Sequence, residues 1–87
     1  MAYSIVLKKS VEKDIRRLPK NVIPRIVNRI EALASDPYPK DSVKIEGAER
    51  TYRLRVGDYR IIYQVDKERR EVIILHVRHR RDAYRML

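Results

Sequence analysis

Residues 52–65 read Tyr52-Arg53-Leu54-Arg55-Val56-Gly57-Asp58-Tyr59-Arg60-Ile61-Ile62-Tyr63-Gln64-Val65. With a period of two, this stretch divides into two strands about a turn. Tyr52, Leu54 and Val56 alternate with Arg53 and Arg55; Tyr59, Ile61, Tyr63 and Val65 alternate with Arg60, Ile62 and Gln64. Successive side chains of a strand point to opposite faces, so the pattern predicts a sheet with one buried and one open face. Gly57-Asp58 fits a two-residue hairpin turn. A charged turn over Asp66–Arg70 leads to a third strand, Val72–Val77. There Ile73, Leu75 and Val77 are expected to face the core. His76, Arg78 and, if the strand continues, Arg80 are expected on the other side.

Upstream, the period changes. Tyr3–Leu7 alternates and is rich in β-formers, so it reads as a strand. Ser10 is an expected N-cap, followed by Val11, Ile15 and Leu18 on one helical stripe. Pro19 interrupts. A second helix is predicted from about Asn21 to Ser35 on the 3.6-residue spacing of Ile23, Ile26, Val27, Ile30, Leu33 and Ala34. Pro24 falls in its first turn, where a missing N–H costs little. Asp36-Pro37-Tyr38-Pro39 ends it. A short strand is possible at Val43–Ile45, and Asp82–Leu87 is a short helix or a tail. The order strand, helical hairpin, β-meander predicts one α+β domain over residues 1–87, with one sheet face covered by the helices.

Charge then points to a partner. The chain has 87 residues and a net charge of +9, from 21 Lys+Arg against 12 Asp+Glu. Residues 50–87 carry net +6, and ten of their eleven cations are arginine, whose planar fork of donors suits phosphate. Strand parity brings Arg53, Arg55, Arg60, Arg78 and Arg80 to the open face, with no acidic residue among those positions. A solvated basic surface is the plain alternative. Like charges gathered together repel, however, and a polyanion would offset that cost, so nucleic acid is the expected partner. Tyr84 could stack on an unpaired base, or could pack back on the core. Having no cysteine, the chain can build neither a disulfide scaffold nor a thiolate metal site; His76 and His79 alone are too few for zinc. No cofactor or metal is expected. No signal peptide or membrane span is legible, so the expected location is cytoplasmic.

In three blocks the chain resembles the RelE/ParE toxin superfamily, and in particular its RelE branch: Lys44-Ile45-Glu46-Gly47, Tyr52 to Tyr63, and Val77-Arg78-His79-Arg80-Arg81-Asp82-Ala83-Tyr84. The resemblance implies a microbial-RNase-like α+β fold. It also implies a ribosome-dependent endoribonuclease that cuts mRNA in the ribosomal A site and is neutralised by a RelB-like antitoxin. Carried over by position, it gives Arg60, Arg80, Tyr84 and His79 as catalytic residues, and Lys44, Arg53, Arg55, Arg78 and Arg81 as RNA contacts. Some relatives have lysine where Arg53 and Arg55 stand, and often glycine where Arg78 stands. RNA carries its own nucleophile, the 2′-hydroxyl, so the implied reaction needs positioning, proton transfer and charge stabilisation but no metal. Histidine has a suitable pKa for proton transfer, yet strand parity turns His79 toward the core, where a structural role is the alternative. Two other readings share the fold or the charge: a ParE-like toxin acting on DNA gyrase without nuclease activity, and a nucleic-acid-binding module without catalysis.

Overall fold

The computed structural model describes residues 2–81. Five strands form one mixed sheet in the order β1-β5-β4-β3-β2. They are β1 (Ser4–Leu7), β2 (Ser42–Lys44), β3 (Thr51–Val56), β4 (Tyr59–Asp66) and β5 (Glu71–His79). Strands β2 to β5 run as an antiparallel meander, and β1 joins β5 in parallel. Helices α1 (Lys9–Arg16) and α2 (Ile23–Ala32) lie between β1 and β2 in the chain. Val11 of α1 and Ile26, Ile30 and Leu33 around α2 pack with Leu54, Val56, Ile61, Tyr63, Val65, Val72, Ile74 and Val77 in one core. Burying apolar surface on this single face is the main driving force for the fold.

The helices are shorter at their ends than the apolar spacing predicts, because the flanking residues form i to i−3 turns. Leu33, Ala34 and Ser35 donate to Ile30, Glu31 and Ala32, and Val22 donates to Pro19. Ser10 is not the N-cap; Lys8 holds that position without a side-chain cap, and Ser10 sits inside α1. Pro24 lies in the first turn of α2 as expected.

The expected parity of β5 fails over its first half. Val72 and Ile74 are fully buried in the core, whereas Ile73 and Leu75 are only partly buried. The cause is a bulge. Ile62 pairs with His76, but the next residue, Tyr63, pairs with Ile74, so Leu75 has no opposite number. One extra residue reverses the alternation. Beyond it Val77 returns to the core opposite Ile61, as expected, and Arg78 stays on the open face opposite Arg60.

Candidate nucleic-acid interface

The ladder registers turn the alternation of the strands into geometry. Arg55 pairs directly with Arg60 across β3 and β4, and Arg60 pairs directly with Arg78 across β4 and β5. Three arginines thus form one row across three strands, on the face away from the helices. Arg53 lies two residues along β3 on the same face, opposite Ile62. Like charges directly opposite one another on a sheet destabilise it, so the row is not a product of folding alone.

Each arginine is held differently. Arg60 is only 6 % exposed. Its Nη1 donates to its own hairpin, to the Tyr59 carbonyl at 3.1 Å and the Gly57 carbonyl at 3.4 Å. Arg55 is exposed, and its Nε donates to the same Gly57 carbonyl at 3.2 Å. Gly57 has φ +59, a backbone that glycine adopts without penalty. Its turn therefore presents one carbonyl to two guanidinium groups. Arg78 makes an ion pair with Asp14 of α1, which lies beside β5. The Asp14 Oδ2 that faces Arg78 is buried and has no hydrogen-bond partner among the described residues, so the pairing is an electrostatic contact. Asp14, which belongs to α1 and not to the strand positions, thus brings a carboxylate to the open-face cations. Asp66 and Glu71 pair with each other at the far end of that face.

β5 stops at His79, so Arg80 does not continue the strand; it opens a helical turn and its N–H donates to the Asp58 carbonyl at 2.7 Å. That bond keeps Arg80 and the exposed Arg81 beside the β3–β4 turn. His79 pairs with Tyr59 on the helix side, its ring edge-on to that tyrosine at 5.4 Å, and its Nδ1 accepts the Arg81 N–H at 3.5 Å. Lys44 does not join the arginines. Its partner in the ladder is Tyr52, so it belongs to the helix side, near Tyr38, Arg50 and Lys67. Tyr84 lies outside the described residues.

His76 lies on the open face opposite Ile62, with its Nδ1 buried and unpartnered among the described residues. Its pKa is lowered from the ordinary 6.5, mostly by burial, further by Arg78 and Lys8, and against a smaller opposing pull from Asp14. Residue patterns missed Asp14. The available signal was a carboxylate three residues from Val11, at the margin of the apolar stripe of α1. Among the described residues no His, Asp and Glu gather in a way that could hold a metal ion. No described helix is long and apolar enough to cross a membrane.

Comparison with known proteins gives this fold its place. The family described as "ParE toxin of type II toxin-antitoxin system, parDE" matches residues 5–84. A protein of Methanocaldococcus jannaschii carrying the name RelE1 is 32 % identical, over 98 % of each chain. Toxin RelG of Mycobacterium tuberculosis is 30 % identical over 98 % of this chain and 99 % of its own. The RelE–RelB complex of Pyrococcus horikoshii contains a chain that superposes with a TM-score of 0.82 at 34 % identity, covering 92 % of this chain and 97 % of that one. The chain belongs to the RelE/ParE family of type II toxin–antitoxin toxins.

Proposed function

We propose that this toxin is a ribosome-dependent endoribonuclease that cuts mRNA in the A site, and that a RelB-like antitoxin neutralises it. The observation that carries the reading is the cross-strand row Arg55–Arg60–Arg78 on the open face of the sheet. Strands lie about 4.8 Å apart, so the row spans about 10 Å, a suitable length for successive phosphates of a single strand. Arg55 and Arg78 flank the scissile phosphate, with Arg60 between and beneath them. Arg53, Arg80 and Arg81 hold neighbouring phosphates, and Tyr84 stacks on a base.

The 2′-hydroxyl attacks the adjacent phosphorus as the bond to the 5′-oxygen breaks. The products are a 2′,3′-cyclic phosphate and a 5′-hydroxyl. The guanidinium groups stabilise the charge that grows on the phosphate oxygens. Arginine keeps its proton at any ordinary pH and cannot serve as the base. His79 is the candidate proton carrier, but its ring is engaged with Tyr59. A site strong in anion binding and weak in proton transfer gains most from a ribosome that aligns the message. Solved relatives pair RelE with RelB, which supports an antitoxin here. An acidic segment of that partner would suit the same arginines.

Primer extension of a message in a translation extract, with and without toxin, tests the reading. Cuts within codons, on translated message and not on naked RNA, are expected. Growth arrest without new RNA ends would overturn the nuclease reading in favour of the gyrase-directed alternative. Replacing Arg55 and Arg78 together by alanine is expected to abolish the cuts.

A further inference from the structure

The β3–β4 turn carries more cations than the row uses. Arg25 of α2 reaches it from the helix side. A Cβ placed on Gly57 would lie 3.2 Å from the Arg25 Nη2 and 3.7 Å from its Nη1, so this guanidinium lies against the bare glycine backbone. Arg55 approaches the same residue from the other side through its bond to the Gly57 carbonyl. Arg25, Asn28, Arg29, Arg55, Val56 and Gly57 line one open depression. Among the described residues no carboxylate lines it. Arg29 is already neutralised by a two-oxygen contact with Asp41, at 2.7 and 2.8 Å, which ties α2 to the segment before β2. Among the described residues the side chains of Arg25 and Asn28 make no hydrogen bond or ion pair.

Two guanidinium groups held at one glycine, uncompensated and beside a free amide, make a donor-rich concavity. Its natural ligand is a singly charged phosphodiester, which two arginines can grip by their N–H edges. Arg55 belongs both to this depression and to the open-face row, so the two surfaces are continuous around the turn. We propose that Arg25 and Arg55 form a second phosphate site, which carries the RNA strand from the open face of the sheet over the β3–β4 turn and onto α2. This inference rests on the RNA reading above and adds to it the direction in which the strand leaves the site.

Fluorescence anisotropy with labelled oligouridylates of about five and about fifteen nucleotides, in a salt series, tests it. Arg25→Ala is expected to weaken the long oligomer about three- to tenfold at low salt. Its log-affinity against log-salt slope should fall by about one charge. The short oligomer, which fits on the row alone, should bind as to wild type. Arg25→Lys should recover part of the loss, since it restores the charge without the fork. Arg25 is an exposed helix residue, and a circular dichroism melt checks that the variant folds. Equal weakening of both lengths, or of neither, overturns the second site while leaving the RNA reading intact. A loss of antitoxin affinity with RNA affinity unchanged also overturns it, and makes the depression a protein contact. If wild type binds neither oligomer even at low salt, the second site is overturned, while the nuclease reading still stands or falls by primer extension on translated message.

Discussion

The two faces of β4 are written in the same eight residues and obey different rules. Toward the helices, Ile61, Tyr63 and Val65 are buried almost completely. Tyr63, the one polar group of that set, donates its hydroxyl to the Pro37 carbonyl at 2.8 Å. Burial pushes its pKa to about 12, so it stays a neutral donor at every physiological pH. Toward the open side stand Arg60, Ile62, Gln64 and Asp66. There Arg60 is also buried, yet its partners are carbonyls of its own turn. On one face every group lowers the free energy of the folded chain. On the other, a row of like charges is a standing cost that folding does not explain and an anion does.

Single substitutions on either side test that division, and the largest effect belongs to the helix side. Ile61→Ala is expected to lose about 3 kcal/mol of stability, from lost transfer energy and the cavity left behind. Arg55→Ala, one strand away on the open face, should change stability by no more than about 0.5 kcal/mol, because the side chain is exposed and its removal relieves repulsion. Its RNA affinity should fall by about tenfold. Urea denaturation and RNA titration of both variants measure this contrast. Comparable destabilisation by the two would mean that the arginine row is structural.

The same contrast explains what could be read in the sequence. The meander was legible because period-two alternation and the Gly57-Asp58 turn are local signals, and the row Arg55–Arg60–Arg78 follows from parity once the register is set. The first half of β5 was not legible, because its bulge depends on which residue of β4 faces which residue of β5. A run of Val72-Ile73-Ile74-Leu75 offers equally apolar residues to both faces, so composition cannot reveal the slip. Lys44, given as an RNA contact by the resemblance alone, stands on the helix side through its pairing with Tyr52, and a three-residue strand carries too little alternation to show that face in advance. Asp14 reaches Arg78 across 64 positions of sequence, and only the packing of α1 beside β5 brings them together.

Asp14 therefore offers a sharper test of the open face than the arginines themselves. Among the described residues it is the one carboxylate in an ion pair with a member of the row, and both side chains are largely buried, Asp14 at 12 % and Arg78 at 27 % exposure. Breaking such a pair by removing one partner leaves the other charge uncompensated. Asp14→Asn keeps the shape of the side chain and removes the charge. It should lower stability by about 1 kcal/mol, a value discounted because Arg78 keeps some contact with water. It should also tighten RNA binding about three- to fivefold at low salt, with the gain disappearing as salt rises. Loss of stability without the gain in affinity would mean that Arg78 serves the fold and not the ligand.

The smallest expected effect concerns His76, which shares the open face with the row yet is built against carrying charge. Arg78 and Lys8 face it with positive charge, Asp14 with negative, and its Nδ1 is buried without a partner among the described residues. Burial lowers its pKa below the ordinary 6.5, so the folded chain releases this proton more readily than the unfolded one. As pH falls below about 7, the unfolded state takes up a proton that the folded state refuses, and stability declines. The decline stops once pH is below the folded pKa as well. His76→Gln lacks the titrating group and should show a flatter stability profile between about pH 7 and about pH 5. Urea denaturation midpoints across that range measure the difference. Identical slopes in the two proteins would mean that His76 accepts its proton as freely folded as unfolded, and that the arginine face is wetter around β5 than its buried Nδ1 implies.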